Sequence, residues 1–227
     1  MKQLTVYTSP YNKIRLGKDN DGGYIICDIP NIEYSIFLSA GIGNDISFEE
    51  DFCKKYNNLK CYAYDGTINN IKINDKNIQF IKKNISPNET DKTTNMYNYI
   101  NNNENIFLKM DIEGAEVDWL NSLSDEQLNK FSQIVIEFHN PFTEKEQKMF
   151  NKLCENHYLV HFHPNNCCGV NEYKGIKIPV VFECTYLHKK HFTDNPLLNK
   201  MKIPSSLDMK NTNNEEIYIN YPPFVHC

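Results

Sequence analysis

Short apolar runs that alternate with amphipathic stretches constrain this chain more than any other feature. Strand-like runs fall at 34–38, 60–64, 78–82, 106–110 and 133–138, and helix-like segments fall at 48–56, 93–101, 116–123 and 143–157. Apolar runs of that length suit strands covered on both faces. Their alternation with helices implies βαβ units, a parallel sheet and helices on either side. Two further runs, 159–163 and 180–186, are separated only by a polar loop containing Asn165, Asn166 and Gly169. That pair reads as a hairpin, so one strand is expected to run against the others. The expected class is α/β, with a Rossmann-like, mostly parallel sheet.

At 227 residues the simplest organisation is a single domain over 1–227. A cap segment is expected at 1–33, a core at 34–187 and a tail at 188–227. The first 30 residues and the last 40 read as irregular, apart from a turn cluster at Lys18–Gly23 and a strand at Tyr24–Cys27. The tail's Ile217, Ile219, Tyr221 and Phe224 are expected to pack on the body. Net charge is -5 and the basic residues are scattered, which argues against a nucleic-acid surface. No apolar run reaches bilayer length, and the opening MKQLTVYTSP lacks the apolar stretch of a signal peptide, so a cytoplasmic protein with no membrane partner is expected. Nothing bears on oligomeric state. The eight cysteines, Cys27, Cys53, Cys61, Cys154, Cys167, Cys168, Cys184 and Cys227, include no C-x-x-C pair. The neighbours Cys167 and Cys168 have the chemistry to ligate metal or to oxidise, but free thiols are the plain reading in a reducing compartment.

The first central strand runs into FLSAGIGND, where Gly41 and Gly43 let the backbone turn tightly and approach a ligand. The second ends in CYAYDGT, placing Asp65 22 positions after Gly43. That is where a doubly wound sheet grips ribose hydroxyls, although an acid before glycine also suits a plain turn. Ile46 stands where a dinucleotide fold needs its third glycine, and Asp45 would oppose a pyrophosphate. S-adenosylmethionine, cationic and lacking pyrophosphate, suits an acid-lined pocket better.

The fourth run, NIFLKMDIEGAEVDWL, carries Asp111, Glu113 and Glu116 within six positions of an apolar strand. KMDIEGAE at Lys109–Glu116 resembles the hallmark of the FkbM-type S-adenosylmethionine-dependent methyltransferases. SAGIGNDISFE from Ser39 to Glu49 is similar to that family's cofactor loop, and YDGT to its ribose-binding strand end. The resemblance covers about 35–187 and implies a class I methyltransferase sheet of seven strands with the last antiparallel. It implies an enzyme that methylates a hydroxyl of a sugar or another small polar metabolite. It also implies cofactor contacts at Ser39, Gly41, Gly43, Asp65 and Gly66. Asn84, Ile85 and Ser86 would lie near the adenine, and Asp111 beside the transferred methyl. Glu113 and Glu116 serve equally well as charges stabilising a helix N-terminus, by about 0.3–1 kcal/mol.

Methyl transfer to oxygen needs an aligned and deprotonated acceptor. The fifth strand ends IEFHN and the sixth HFHPNN, so Glu137 and His139 share one face, as do His161 and His163. Asp111, Glu137, His139 and His163 are therefore expected to converge as ligands for Mn²⁺ or Mg²⁺, with His139 or His163 as the alternative direct base. The plainer possibility is a set of satisfied core side chains, with Glu137 paired to Lys109 or His139. Arg15, Lys18 and the loop 165–174 are expected to border the acceptor, whereas Trp119, Tyr97 and Tyr99 are expected to pack on the sheet. A nicotinamide oxidoreductase and a silent cofactor-binding protein are the alternatives, since fold alone does not fix function.

Overall fold

The computed structural model describes residues 2–140 and 144–226. It opens with an antiparallel hairpin, β1 (Lys13–Leu16) and β2 (Tyr24–Cys27), of which the sequence predicts only the second strand. There follow β3 (Phe37–Ala40), α1 (Ser47–Lys55), β4 (Cys61–Tyr64), β5 (Ile78–Ile81), and a short pair, β6 (Asn84–Ile85) and β7 (Thr93–Thr94). Next come α2 (Tyr97–Asn101), β8 (Ile106–Met110), α3 (Glu116–Ser122), α4 (Asp125–Asn129), β9 (Phe131–His139) and α5 (Glu144–Asn156). The chain continues through β10 (His157–Pro164), a hairpin of β11 (Val170–Tyr173) and β12 (Ile176–Pro179), and β13 (Val181–His188).

Seven strands form the main sheet in the order β10-β13-β9-β8-β3-β4-β5. β13 runs antiparallel to both β9 and β10, while the pairs from β9 through β5 are parallel. The last strand thus inserts between two earlier ones, which is the class I methyltransferase arrangement. Strand alternation divides the core. Leu38, Ala40, Leu108, Met110, Ile134 and Ile136 face one layer with Trp119 and Phe150. Phe37, Phe107 and Val135 face an aromatic layer on the other side. There Phe52 lies 4.0 Å from Phe107 and 4.7 Å from Phe37 between ring centroids.

Several expectations are corrected. The first central strand begins at Phe37 rather than at 34, because Tyr34 instead turns inward to accept a 2.8 Å hydrogen bond from Gln133. The helix expected over 93–101 shrinks to α2: Met96 has φ +60°, which no helix accommodates, and Thr94 and Asn95 bond to Glu89. The helix expected over 143–157 stops at Asn156, and His157 opens β10 with Nε2 2.8 Å from the Phe131 carbonyl. Thr143, like Cys227, lies outside the described residues. The polar loop expected before the last strand contains the β11–β12 hairpin. Cys167 and Cys168 are joined in a disulfide rather than free. In the tail, Ile219 and Phe224 are buried, and Phe224 packs on Phe162 at 4.6 Å. Among the described residues no helix is long and apolar enough to cross a membrane.

Candidate active site

A cavity of about 670 Å³ opens at the carboxyl ends of β3, β4 and β8. Strand order reverses between β3 and β8, and ligands of open α/β sheets bind at such a switch point. The loop after β3 sits against the end of β8. A Cβ at Gly41, φ +74°, would lie 1.5 Å from the Asp111 carbonyl oxygen, so only glycine permits that approach. Gly43 borders the cavity with open space where a side chain would stand, and its N–H donates to Asp65 Oδ2 at 2.8 Å. Asp65 Oδ1 accepts from the amide and hydroxyl of Thr67 at 2.7 and 2.6 Å. Burial pushes the Asp65 carboxyl up, but the Thr67 and Gly43 donors outweigh it and hold the pKa below the usual value. Asn84 and Ile85 line the same cavity, and Asn84 Oδ1 accepts from the Gly66 amide at 3.1 Å.

Ser39 lies beneath the loop rather than in the cavity wall. Its hydroxyl donates to the buried Glu49 at 2.5 Å, and the neighbouring Lys109 donates to the Gly41 carbonyl at 2.7 Å. Burial raises the Glu49 pKa, partly offset by Lys109 and by the Ser39 hydroxyl. This buried polar group braces the glycine turn from below. Gly66 and Ser86 also stand outside the wall, and Ser86 donates its amide to the Thr94 carbonyl at 3.0 Å.

Asp111 joins this cavity to a second group of side chains. Tyr24 donates to Asp111 Oδ2 at 3.0 Å and lies 3.4 Å from Glu137 Oε2. Asp111 Oδ1 is buried without a hydrogen-bond partner, with His139 Nε2 3.8 Å away. One ligand atom from each of Asp111, Glu137 and His139 lies within 4.8 Å of the others. Asn165 donates to Glu137 Oε1 at 2.7 Å. Burial, then the Asp111 and Glu183 carboxylates, raises the Glu137 pKa well above the usual range. The Tyr24 pKa is likewise raised, by burial and then by Asp111 and Glu137, so its phenol remains a donor.

Glu116 holds two parts of this corner. It is fully buried, and Oε1 accepts from the amides of Ile112 and Gly114 at 3.1 Å each while facing His139 Nδ1 at 3.2 Å. Burial lowers the His139 pKa, but the Glu116 carboxylate reverses that and carries it up to about 9. Glu113, φ +58°, is largely exposed and lies 3.4 Å from His139 Nε2.

His163 does not join this group. Its ring stands 3.4 Å from Glu183 and 3.6 Å from Glu216, and these carboxylates outweigh burial to raise its pKa to about 9. His161 meets Asp208 at 2.8 Å and Lys13 at 3.4 Å. The register sets β9 and β10 on either side of β13, so Glu183 stands opposite both Glu137 and His163.

Against known proteins, the family model described as the Methyltransferase FkbM domain matches residues 8–163. The chain belongs to the FkbM methyltransferase family. FkbM enzymes use S-adenosylmethionine as methyl donor, so this chain is an S-adenosylmethionine-dependent methyltransferase. Among solved structures it is similar to a proposed methyltransferase from Thermoplasma acidophilum, at 9% identity over 69% of each chain with a TM-score of 0.35. It is also similar to precorrin-6y C5,15-methyltransferase from Geobacter metallireducens GS-15, at 7% identity over 69% of this chain and 83% of that one, with a TM-score of 0.37. No curated protein matches the chain. The cavity of this FkbM methyltransferase fits the donor: Asp65 offers carboxylate lone pairs, Gly43 leaves open space, and the unpartnered Asp111 oxygen offers a negative group for a cationic centre.

Sequence patterns place Lys109 and Asn165 near the acceptor, as a candidate partner of Glu137 and in the loop 165–174, but give neither its contact. Lys109 bonds to the Gly41 carbonyl instead of Glu137, and the patterns do not bring Tyr24 to the site at all. Lys109 has a clue, a lone charge inside an apolar strand. Tyr24 follows Gly22-Gly23 in a hairpin whose position over the sheet is a tertiary fact, and Asn165 reaches Glu137 only because β13 lies between their strands.

Proposed function

We propose that this enzyme methylates a hydroxyl oxygen of a small polar metabolite, such as a sugar, a nucleotide-sugar or a phosphorylated precursor, with Mn²⁺ or Mg²⁺ assisting. The observation that carries the reading is Asp111. One of its oxygens is held by Tyr24 and the other is buried and unpartnered, between the cofactor cavity and the Glu137–His139 pair. In this reading Asp65 takes the ribose hydroxyls, Asn84 and Ile85 border the adenine, and Gly41 and Gly43 border the methionine part. Ser39 and Gly66 support those contacts from behind. The carboxylates of Asp21, Asp111 and Glu113 around the cavity supply acceptors for a polyol.

The cofactor supplies an electrophilic methyl on sulfur, open to in-line attack. Asp111 Oδ1 is the free acceptor for the substrate hydroxyl, and it takes that proton as the oxygen–methyl bond forms and the methyl–sulfur bond breaks, its electron pair leaving on the neutral thioether S-adenosylhomocysteine. Tyr24 keeps the carboxylate turned toward the cavity. Glu137, whose raised pKa favours its protonated form, limits the repulsion between two close carboxylates. His139 is a poor direct base at neutral pH, because Glu116 carries its pKa to about 9. The same contact fixes Nδ1 as the donor and turns Nε2 toward Asp111, the orientation a metal-ligating imidazole requires. Asp111, Glu137 and His139 would hold the cation only by exchanging the Glu137 and His139 Nε2 protons for it, and when bound it would lower the pKa of a coordinated hydroxyl. His163 is a structural cation in this scheme.

The test is calorimetric titration with S-adenosylhomocysteine, with and without Mn²⁺ or Mg²⁺, and with Mn²⁺ alone, on the wild type and on Asp111→Asn. Metal heat that disappears in the variant supports the site. A wild type that gives no metal heat removes the cation and leaves Asp111 as an unaided base. Product analysis over a panel of sugars and sugar phosphates must find methyl on oxygen, and transfer to nitrogen or carbon alone would overturn the acceptor class.

A further inference from the structure

S-adenosylmethionine ends in an amino acid, with a carboxylate and an ammonium on the same carbon. Three lysines line the cavity: one is committed to the main chain, one stands at the Asn84 end, and one stands beyond Gly43. Lys109 is buried, donates to the Gly41 carbonyl at 2.7 Å and lies 5.0 Å over the Tyr24 ring. Lys83 stands beside Asn84 and is held by Glu89 and the Thr90 carbonyl at 2.8 Å each. Lys18 stands at the Gly43–Asp45 end, with 56% of its side chain exposed and Asp45 as its ion partner at 2.9 Å.

The loop holding Lys18 is built from many contacts. Arg15 donates to the carbonyls of Lys18 and Asn20 at 2.7 and 2.6 Å, and the Lys18 amide donates to Ser47 Oγ at 2.9 Å. Ser47 in turn donates its amide to Asp45 Oδ1 at 3.1 Å. A Cβ at Gly22, φ +105°, would lie 2.4 Å from Asp45 Oδ2 and 3.1 Å from Lys18 Cε, so the glycine makes the room in which the pair meets. A cation and an anion are thereby set side by side at the cavity wall. A solvated ion pair is worth little by itself, so each partner gives up little when it exchanges for a ligand charge.

We propose that Lys18 and Asp45 form the subsite for the zwitterionic end of the cofactor, Lys18 taking the carboxylate and Asp45 the ammonium. This rests on the S-adenosylmethionine assignment of the cavity. The pair then determines specificity for the amino-acid tail over shorter adenosine thioethers, because it holds nothing that such a molecule carries.

The experiment compares two probes by calorimetry: S-adenosylhomocysteine, which has the tail, and 5′-methylthioadenosine, which lacks it. Lys18→Met is expected to weaken S-adenosylhomocysteine about fivefold, the scale of one partly exposed ion pair, and to leave 5′-methylthioadenosine unchanged. Asp45→Asn should show the same selectivity, and Lys18→Arg should retain most of the affinity. Equal losses for both probes, or no loss for S-adenosylhomocysteine, overturn the assignment. A wild type that binds neither probe overturns the reading of the cavity itself, which separates the two failures.

Discussion

At the tips of β3 and β4 the contacts run through the main chain. Gly41 touches the Asp111 carbonyl, Gly43 and Thr67 donate amides to Asp65, and Gly66 donates to Asn84. At the tips of β9, β10 and β13 the contacts run from side chain to side chain: Asn165 to Glu137, Asn211 to Glu183, and Asp208 to His161. The first region is a preformed cradle whose shape depends on few side-chain rotamers. The second is a network of buried charges whose shape depends on every member being present, since a buried charge that loses its partner is costly. The difference matches the proposed tasks: in that reading the first region grips the same cofactor on every turnover, while the second tunes protonation states at the acceptor.

Asp111 belongs to both regions, so replacing it tests the division most severely. Asp111→Asn keeps the shape and removes the anionic acceptor. The expected result is a fall in kcat of about a thousandfold, the scale of a lost general base with its electrostatic support. Affinity for S-adenosylhomocysteine should change by less than about threefold, a fraction of a kcal/mol. If affinity falls as steeply as rate, the two regions are one site and the comparison fails.

Asp65→Ala breaks the cradle alone. Two oxygens that each accept backbone donors disappear, so cofactor affinity should drop by about a hundredfold and stability by about 1–2 kcal/mol. Calorimetry and urea melts measure the two effects. Mn²⁺ binding at Asp111, Glu137 and His139 should survive, and its loss would mean that the cradle also shapes the acceptor corner.

The same contrast separates what is legible in the amino-acid sequence from what is not. Gly41, Gly43 and Asp65 are legible because a glycine turn and an acid at the next strand tip are local patterns, although an acid before glycine also suits a plain turn. The five central strands and the reversal of the last one follow from apolar periodicity and loop length. Glu137 and His139 are legible as a pair by strand alternation, and Asp111 by its place at the end of an apolar run. His163 misleads by the same rule: alternation fixes its face, but β13 inserts between β9 and β10 and interposes Glu183. Long-range pairing of that kind leaves no mark in spacing. Asp208, Asn211 and Glu216 come from a tail with no periodic pattern, so nothing local marks them.

The smallest expected effect concerns how that tail is held. His163 has its pKa raised to about 9 in the fold by Glu183, Asp208 and Glu216, against 6.5 as its ordinary value. The folded state therefore retains a proton that the unfolded chain releases. The stability this contributes is fully present below about pH 6.5 and is lost as pH rises through about 9. His139, also carried to about 9, acts in the same window and the same direction. Burial lowers the pKa of His157, His161, His188 and His191, so these favour the unfolded chain as pH falls below 6.5. Stability should thus peak near neutrality and decline on the alkaline side by about 1 kcal/mol per pH unit for each raised imidazole. His163→Gln, followed by urea midpoints from pH 6.5 to 9, should remove about half of that alkaline slope, while Asp65→Ala should leave the slope intact. An unchanged slope in His163→Gln would mean that His163 does not retain its proton in the fold, and that the tail is held by hydrogen bonds and packing rather than by charge.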